Sequence, residues 1–355
     1  MKLPDFPWDV LAPYGVRAKA HPEGAIDLSV GTPVDSTPEF IQQELSSTSN
    51  SPGYPLTIGS PALREAMRSW AINQLGITGD FDVLPTIGSK EFIAWLPSVL
   101  ESKNVLYPKI AYPTYLVSAL IAHAKHEAVD TDPTKWPAAD LVWVNSPSNP
   151  TGRVAPLSEL EEIIKYSRKN RSVVVSDECY INFPADIHAT EPISIFKAAA
   201  GNNENLLGVY SLSKRSNMAG YRAGLVVGDS ALISKIREVR KHAGMILSAP
   251  VQAAMIAALG DEKHVQHQAE RYARRRSILR PALELLGFKV EHTEAGLYIW
   301  CTRGETDLDS VAFLADRGVL VTPGHFYGEA GAKYIRVALT ATDDQITRAA
   351  ARMNA

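Results

Sequence analysis

Between Phe81 and Gly228 the chain repeats one pattern, in which short β-branched runs alternate with helix-length segments. The strand candidates are Asp82–Pro85, Asn104–Tyr107, Leu141–Asn145, Ser172–Ser176, Leu206–Ser211 and Ala223–Gly228. Between them lie the helical patterns Lys90–Leu100, Pro113–His123 and Ser158–Asn170. Short apolar strands alternating with helices predict an α/β fold with a mainly parallel sheet covered on both faces. After Asp229 the pattern changes to the long helices Ala231–Arg240 and Glu262–Leu286, followed by strands at Phe288–Glu291, Gly296–Cys301, Val319–Thr322 and Tyr334–Leu339. That order predicts a second, smaller α+β domain. A chain of 355 residues exceeds the size at which one core usually stops growing, which agrees. The expected division is an arm, 1–38, that joins the small domain, a large domain, 39–245, and a small domain, 246–355. No internal repeat interrupts it.

Composition narrows the function classes. A formal charge of −3 gives no electrostatic case for nucleic acid or an anionic membrane as partner. The longest apolar stretches, such as Leu141–Val144 and Gly224–Val227, are strand-sized and fall far short of a bilayer span. Met1–Trp8 is rich in proline and aromatics and does not read as a charged-then-apolar leader. The two cysteines, Cys179 and Cys301, cannot make a disulfide framework, so a reduced, cytoplasmic location is expected, with Cys179 in a packing role. His123/His126 and His264/His267 have chelate spacing but lack a third ligand nearby, so no metal is expected. The basic run Arg271–Arg280 reads as a solvated helix face.

Chemistry concentrates in four motifs. In Ser211-Leu-Ser-Lys214-Arg-Ser-Asn-Met-Ala-Gly-Tyr-Arg222 a lysine stands just past a buried strand, fenced by small residues. Such an amine suits attachment to a cofactor aldehyde as a Schiff base, because burial and neighbouring cations keep it partly neutral. Ser211 and Arg222 offer a hydroxyl and a guanidinium to one phosphate. Alone, Lys214 has a lesser reading as a surface lysine in a loop. In Ser172-Val-Val-Val-Ser-Asp177-Glu-Cys-Tyr180 an aspartate ends a buried strand, where open α/β sheets put their ligands. Asp177 can pair with a pyridine nitrogen, and Tyr180 can donate to the ring's phenolate oxygen; the plainer reading of Asp177 is a helix N-cap. Asn149, in Asn145-Ser-Pro-Ser-Asn149-Pro-Thr-Gly152, sits in a turn and can donate to the same oxygen. Thr86-Ile-Gly88-Ser89-Lys90-Glu91 opens a helix whose free amides, with the Ser89 hydroxyl, form an anion cradle.

In order and spacing these motifs resemble the fold-type-I aminotransferases of class I/II, from about Leu28 to Leu339. The resemblance implies a large domain built on a mainly parallel seven-stranded sheet, a smaller α+β domain, and pyridoxal 5′-phosphate as cofactor. It implies that Lys214, Asp177 and Tyr180 are catalytic, with Lys214 also moving the proton between Cα and the cofactor. Ser89, Lys90, Tyr112, Asn149, Ser211 and Arg222 would hold the cofactor, Tyr112 by stacking on its ring. Gly31, Asn149 and Arg336 would bind substrate, Arg336 by forking the α-carboxylate. Tyr54 would reach the phosphate of a neighbouring subunit, so a symmetric homodimer with shared sites is expected.

Substrates implied are small amino and 2-oxo acids. The arginine that binds a distal carboxylate in dimer-shared aspartate aminotransferases is missing, its place being about Gly244. Leu3-Pro-Asp-Phe-Pro-Trp-Asp9, Asp27–Asp35, Ser211–Asn217, Arg240–Gly244 and Glu294–Trp300 are similar to the short actinobacterial N-succinyldiaminopimelate aminotransferases. That resemblance implies amino transfer between glutamate/2-oxoglutarate and N-succinyl-2-amino-6-ketopimelate in lysine and diaminopimelate biosynthesis. Arg17, Lys19, Arg153 and Arg215 are candidates for the succinyl arm. The rivals are an aminotransferase for aspartate or aromatic amino acids, a β-lyase on cysteine conjugates, which would turn over without keto acid, and a cofactor-sensing transcription regulator, for which the segment before Gly31 is too short to supply a helix-turn-helix.

Overall fold

The computed structural model describes residue 3, residues 7–186 and residues 192–354; positions 4–6 of the Leu3–Asp9 motif lie outside the described residues. In chain order the strands are β1 (Ile26–Asp27), β2 (Asp82–Ile87), β3 (Asn104–Pro108), β4 (Lys125–Val129), β5 (Leu141–Asn145), β6 (Val173–Asp177), β7 (Leu206–Ser211) and β8 (Ala223–Gly228). They continue with β9 (Lys289–Val290), β10 (Tyr298–Thr302), β11 (Val319–Leu320), β12 (Thr322–Pro323) and β13 (Ile335–Ala338).

Seven strands form one mixed sheet in the order β2-β8-β7-β6-β5-β3-β4. Strand β8 is antiparallel to both neighbours, and every other pairing is parallel. The chain from Ser211 to Ala223 is too short for a helical crossover, so β8 must return beside β7 in the opposite sense. The carboxyl ends of β2, β5, β6 and β7 therefore share one edge, where Gly88, the turn after Asn145, Asp177 and Lys214 emerge.

Alternate residues of the central strands enter two cores. Val142, Val144, Val174, Leu206, Leu225 and Val227 pack with Leu63, Met67 and Trp70 on one face. Trp143, Val175, Leu207, Val209 and Val226 pack with Phe92, Ile93 and Leu96 on the other. Burial on both faces explains why these strands read as unbroken apolar runs.

Strand β4 escaped the sequence reading because Lys125, His126 and Glu127 are exposed at the sheet edge, where charge blunts unwanted pairing. So did the helix Ala249–Gly260, whose apolar and small residues run all round it. The expected boundary at 245/246 places that helix in the small domain; its Ala254, Met255, Ala258 and Leu259 pack in the core of the large sheet.

A second sheet, ordered β12-β13-β10-β9, is antiparallel throughout. The N-terminal segment runs beside it, β1 pairing in parallel with β11. The long helix Lys263–Leu285 corrects the solvated-face reading of Arg271–Arg280. Arg275 is buried, forking Asp35 at 2.8 and 2.9 Å and donating to Asp343 at 2.7 Å. Arg276 is buried too and donates to the Gly296 carbonyl. Acceptors from elsewhere in the chain, not solvent, select these two arginines.

Candidate active site

Lys214 lies on the one-turn helix Leu212–Arg215 that follows β7. Ser211 closes the strand, and its hydroxyl oxygen accepts from the Ser213 N–H at 3.2 Å, capping the turn. The Lys214 ammonium donates to the Gly31 carbonyl. Burial lowers the pKa of this amine, and the nearby guanidinium groups of Arg336 and Arg222 push the same way. Gly31 is required there by space: a Cβ would sit 2.1 Å from the Tyr298 hydroxyl.

Asp177 ends β6 with its carboxylate buried. The Tyr115 hydroxyl donates to Oδ2 at 2.7 Å, and the Cys179 N–H donates to Oδ1 at 3.2 Å. Burial raises the Asp177 pKa, while hydrogen bonds from Tyr115 and Cys179 oppose the rise. Tyr112 meets Tyr115 edge to face at 5.8 Å, and burial lifts its phenol to about 12. The Tyr180 and Tyr298 hydroxyls lie 3.2 Å apart, and burial holds Tyr180 firmly protonated.

The turn after β5 is set by Asn145. Its Oδ1 accepts from the Asn149 N–H at 2.7 Å, and its Nδ2 donates to the Asp177 carbonyl at 2.7 Å. Asn149 Oδ1 accepts from Arg336 at 3.1 Å, which turns its amide hydrogens the other way. Arg336 is 3% exposed, donates to the Ser29 carbonyl at 2.6 Å and lies 4.0 Å from the Tyr298 ring centre. Its Nε has no partner, and no carboxylate among the described residues pairs with it. An uncompensated buried guanidinium is costly unless a ligand anion completes it.

Arg222 stands over the start of the helix Gly88–Val99. Gly88 has φ +71, and a Cβ there would lie 2.5 Å from an Arg222 Nη. Arg222 donates to the Ala219 carbonyl at 2.9 Å and likewise has no acidic partner among the described residues. A helix N-terminus facing an unpaired guanidinium suits a phosphate. Ser89 is half-buried beside the Cys179 thiol, and Lys90 is exposed.

The structure thus gathers Lys214, Asp177, Tyr180, Asn149, Arg222, Arg336, Tyr112, Gly31 and the Gly88–Ser89 turn. It does not gather Tyr54, which is 100% exposed. Of the succinyl-arm candidates, Arg17, Arg153 and Arg215 are engaged by Asp316, Glu159 and Glu262 respectively. Nothing surrounds the position of a Cβ at Gly244 within 4 Å. No metal-binding group of three His, Cys, Asp or Glu occurs among the described residues, and no helix among them is long and apolar enough to cross a membrane.

Sequence reasoning passed over Tyr115 and Tyr298. Tyr115 lies in the first turn of the helix Thr114–Ile121, and Tyr112 in the loop just before it, the two rings meeting edge to face. Tyr298 shares a face of β10 with Trp300, which pairs with Arg336 in register. Either could have been found by asking what surrounds Asp177 and Arg336.

A lysine of lowered pKa, a buried carboxylate and an unpaired phosphate cradle fit a phosphorylated pyridine aldehyde. Residues 23–353 match the family described as aminotransferase class I and II, and the chain belongs to that family, whose members depend on pyridoxal 5′-phosphate. It is 51% identical over 364 residues to the 4-dedimethylamino-4-oxo-anhydrotetracycline transaminase OxyQ of Streptomyces rimosus, covering 99% of each chain. It is 35% identical to an LL-diaminopimelate aminotransferase of Dehalococcoides mccartyi, over 95% of this chain and 92% of the relative. Among solved structures, a probable N-succinyldiaminopimelate aminotransferase from Thermus thermophilus superposes with a TM-score of 0.88 at 27% identity, over 98% of this chain and 99% of that one.

Proposed function

We propose that this aminotransferase moves an amino group between glutamate/2-oxoglutarate and N-succinyl-2-amino-6-ketopimelate. The observation that carries the reading is Arg336, a buried guanidinium with no carboxylate of its own, held beside Asn149 and electrostatically close to Lys214. It matches the α-carboxylate common to both substrates. Bound pyridoxal phosphate supplies an electron-withdrawing ring that stabilises the negative charge left when Cα loses its proton. Lys214 would hold the cofactor's aldehyde carbon and would carry the proton to and from Cα. Asp177 would keep the ring nitrogen protonated, Tyr180 and the Asn149 amide would donate to the phenolate oxygen, and Tyr112 would stack against the ring. The Gly88–Lys90 amides, Ser89, Ser211 and Arg222 would take the phosphate.

A succinyl arm has no need of a fixed distal arginine, and glycine stands at 244, about where the resemblance would put that arginine. The diaminopimelate relative and the structural neighbour support the same substrate class. The OxyQ likeness supports a second reading, amination of a ring ketone on a polycyclic acceptor. Steady-state rates separate the two. N-succinyl-LL-diaminopimelate with 2-oxoglutarate should give the highest kcat/KM, with aspartate and aromatic amino acids about tenfold or more poorer, a gap of roughly 1.4 kcal/mol. Arg336→Ala should weaken every α-amino acid donor alike. A polycyclic ketone or aspartate that outperforms the succinylated substrate overturns the assignment.

Tyr54 and the nearby, exposed Leu56 support a homodimer in which the Tyr54 hydroxyl serves the partner's phosphate. Mixing Lys214→Ala and Tyr54→Phe protomers should then restore part of the lost activity, since a mixed dimer holds one site with both residues intact. A fully active monomer in sedimentation contradicts the shared site.

A further inference from the structure

The helix that carries Lys214 has four residues, too few to hold its own position. Its C-cap is Ser216, whose N–H bonds to the Leu212 carbonyl at 3.1 Å. Each of the three residues after Lys214 is gripped from the stretch 258–268. Arg215 donates to the Ala258 carbonyl at 2.7 Å and pairs with Glu262. The Ser216 hydroxyl lies 2.9 Å from His264 Nε2, and Asn217 Nδ2 donates to Gln268 at 3.1 Å.

The middle contact has a defined direction. Asp261 Oδ1 lies 2.7 Å from His264 Nδ1 and also accepts the His264 N–H at 2.8 Å. Although burial would raise the Asp261 pKa, its bonds to His264 hold it below the usual carboxylate range. An ionised carboxylate can only accept, so Nδ1 carries the ring proton and Nε2 is a bare acceptor. Ser216 must therefore donate to Nε2. Hydrolases use the same three residue types to activate a nucleophile, but Ser216 is 1% exposed and no substrate can reach it. The Phe40 ring covers the imidazole edge at 5.5 Å.

We propose that Asp261, His264 and Ser216 form a relay of positioning residues that fixes the seat of Lys214, and that acid releases it. Protonation at Nε2 makes both ring nitrogens donors, so the Ser216 hydroxyl must rotate to accept from Nε2, and its own hydrogen, buried at 1% exposure, is left without that acceptor. The charges facing the ring are Asp261 on its own junction and Arg215 from the lysine turn, with Glu262 and Lys263 flanking Asp261. Burial is the main cause that lowers the His264 pKa, with Arg215 adding to it against Asp261. The neutral relay is therefore intact above the ordinary histidine range and is lost as pH falls through the lowered value.

The inference rests on Lys214 as the cofactor lysine, which borohydride mapping of the unaltered protein checks separately. Its own test is the equilibrium affinity of cofactor-stripped protein for pyridoxal phosphate between about pH 8 and about pH 5, read by absorbance, with thermal melting to confirm folding. Losing one hydrogen bond at the seat should weaken binding about threefold to tenfold. Ser216→Ala should bind that much more weakly than the natural protein at high pH and converge on it in acid, where the natural protein has lost the same bond. His264→Gln, whose amide oxygen can accept from Ser216 without titrating, should bind like the natural protein at high pH and lose less on acidification. If all three proteins follow one affinity curve, the relay has no role in seating Lys214. Should His264→Gln fail to fold, the Ser216→Ala curve alone decides: weaker at high pH and converging on the natural protein in acid supports the relay, whereas a superimposed curve or a constant offset overturns it.

Discussion

Lys214→Ala should abolish turnover, by on the order of 10⁴-fold or more, while leaving the fold in place. Two functions are lost together, the amine that holds the cofactor and the base that moves the Cα proton, and base catalysis alone contributes about 10²–10⁴-fold. The fold should tolerate the change because the side chain contributes one hydrogen bond, to the Gly31 carbonyl. The turn itself is held by the Ser211 cap, by Arg215 and by Ser216. A glutamate half-reaction followed by absorbance gives the rate, and circular dichroism checks the fold. Activity within tenfold of the natural enzyme would remove Lys214 from the mechanism.

Asp177→Ala should cost on the order of 10³-fold in kcat, roughly 4 kcal/mol of transition-state stabilisation. The carboxylate is buried and raised in pKa by that burial, yet Tyr115 and the Cys179 N–H hold its charge in one direction. A charge so placed can keep a pyridine nitrogen protonated without reorganising. The variant also leaves the buried Tyr115 hydroxyl without its acceptor, which should lower stability by about 1–3 kcal/mol. Asp177→Asn separates the two effects: it keeps an acceptor for Tyr115 but loses the charge, so stability should largely return while activity does not. Near-normal turnover in either variant would mean that another acid serves the ring nitrogen.

The sequence made the central strands legible because burial on both faces leaves unbroken runs such as Leu206–Ser211 and Ala223–Gly228. It made the motif residues legible because Asn149, Asp177 and Lys214 follow such runs at one edge of the sheet. What it concealed depends on partners far along the chain. Nothing local distinguishes buried Arg275 from exposed Arg274 on the same helix; Asp35, on the N-terminal segment, does. His264, weighed beside His267 as a metal chelate, instead joins Asp261 to Ser216. Tyr115 reads as one core tyrosine among several until the fold places its hydroxyl on Asp177. Strand β4 was invisible for the opposite reason, since an exposed edge needs charge where apolar periodicity would otherwise show.

The central claim is that the amine of Lys214, lowered in pKa by burial and flanked by Arg222 and Arg336, is where the cofactor is held. Borohydride reduction of the cofactor-loaded protein, followed by proteolysis and mass spectrometry, tests it directly. The pyridoxyl mass should appear on the peptide containing Ser211–Arg215, on Lys214 alone. Labelling of another lysine, with Lys214 unmodified, would contradict the account.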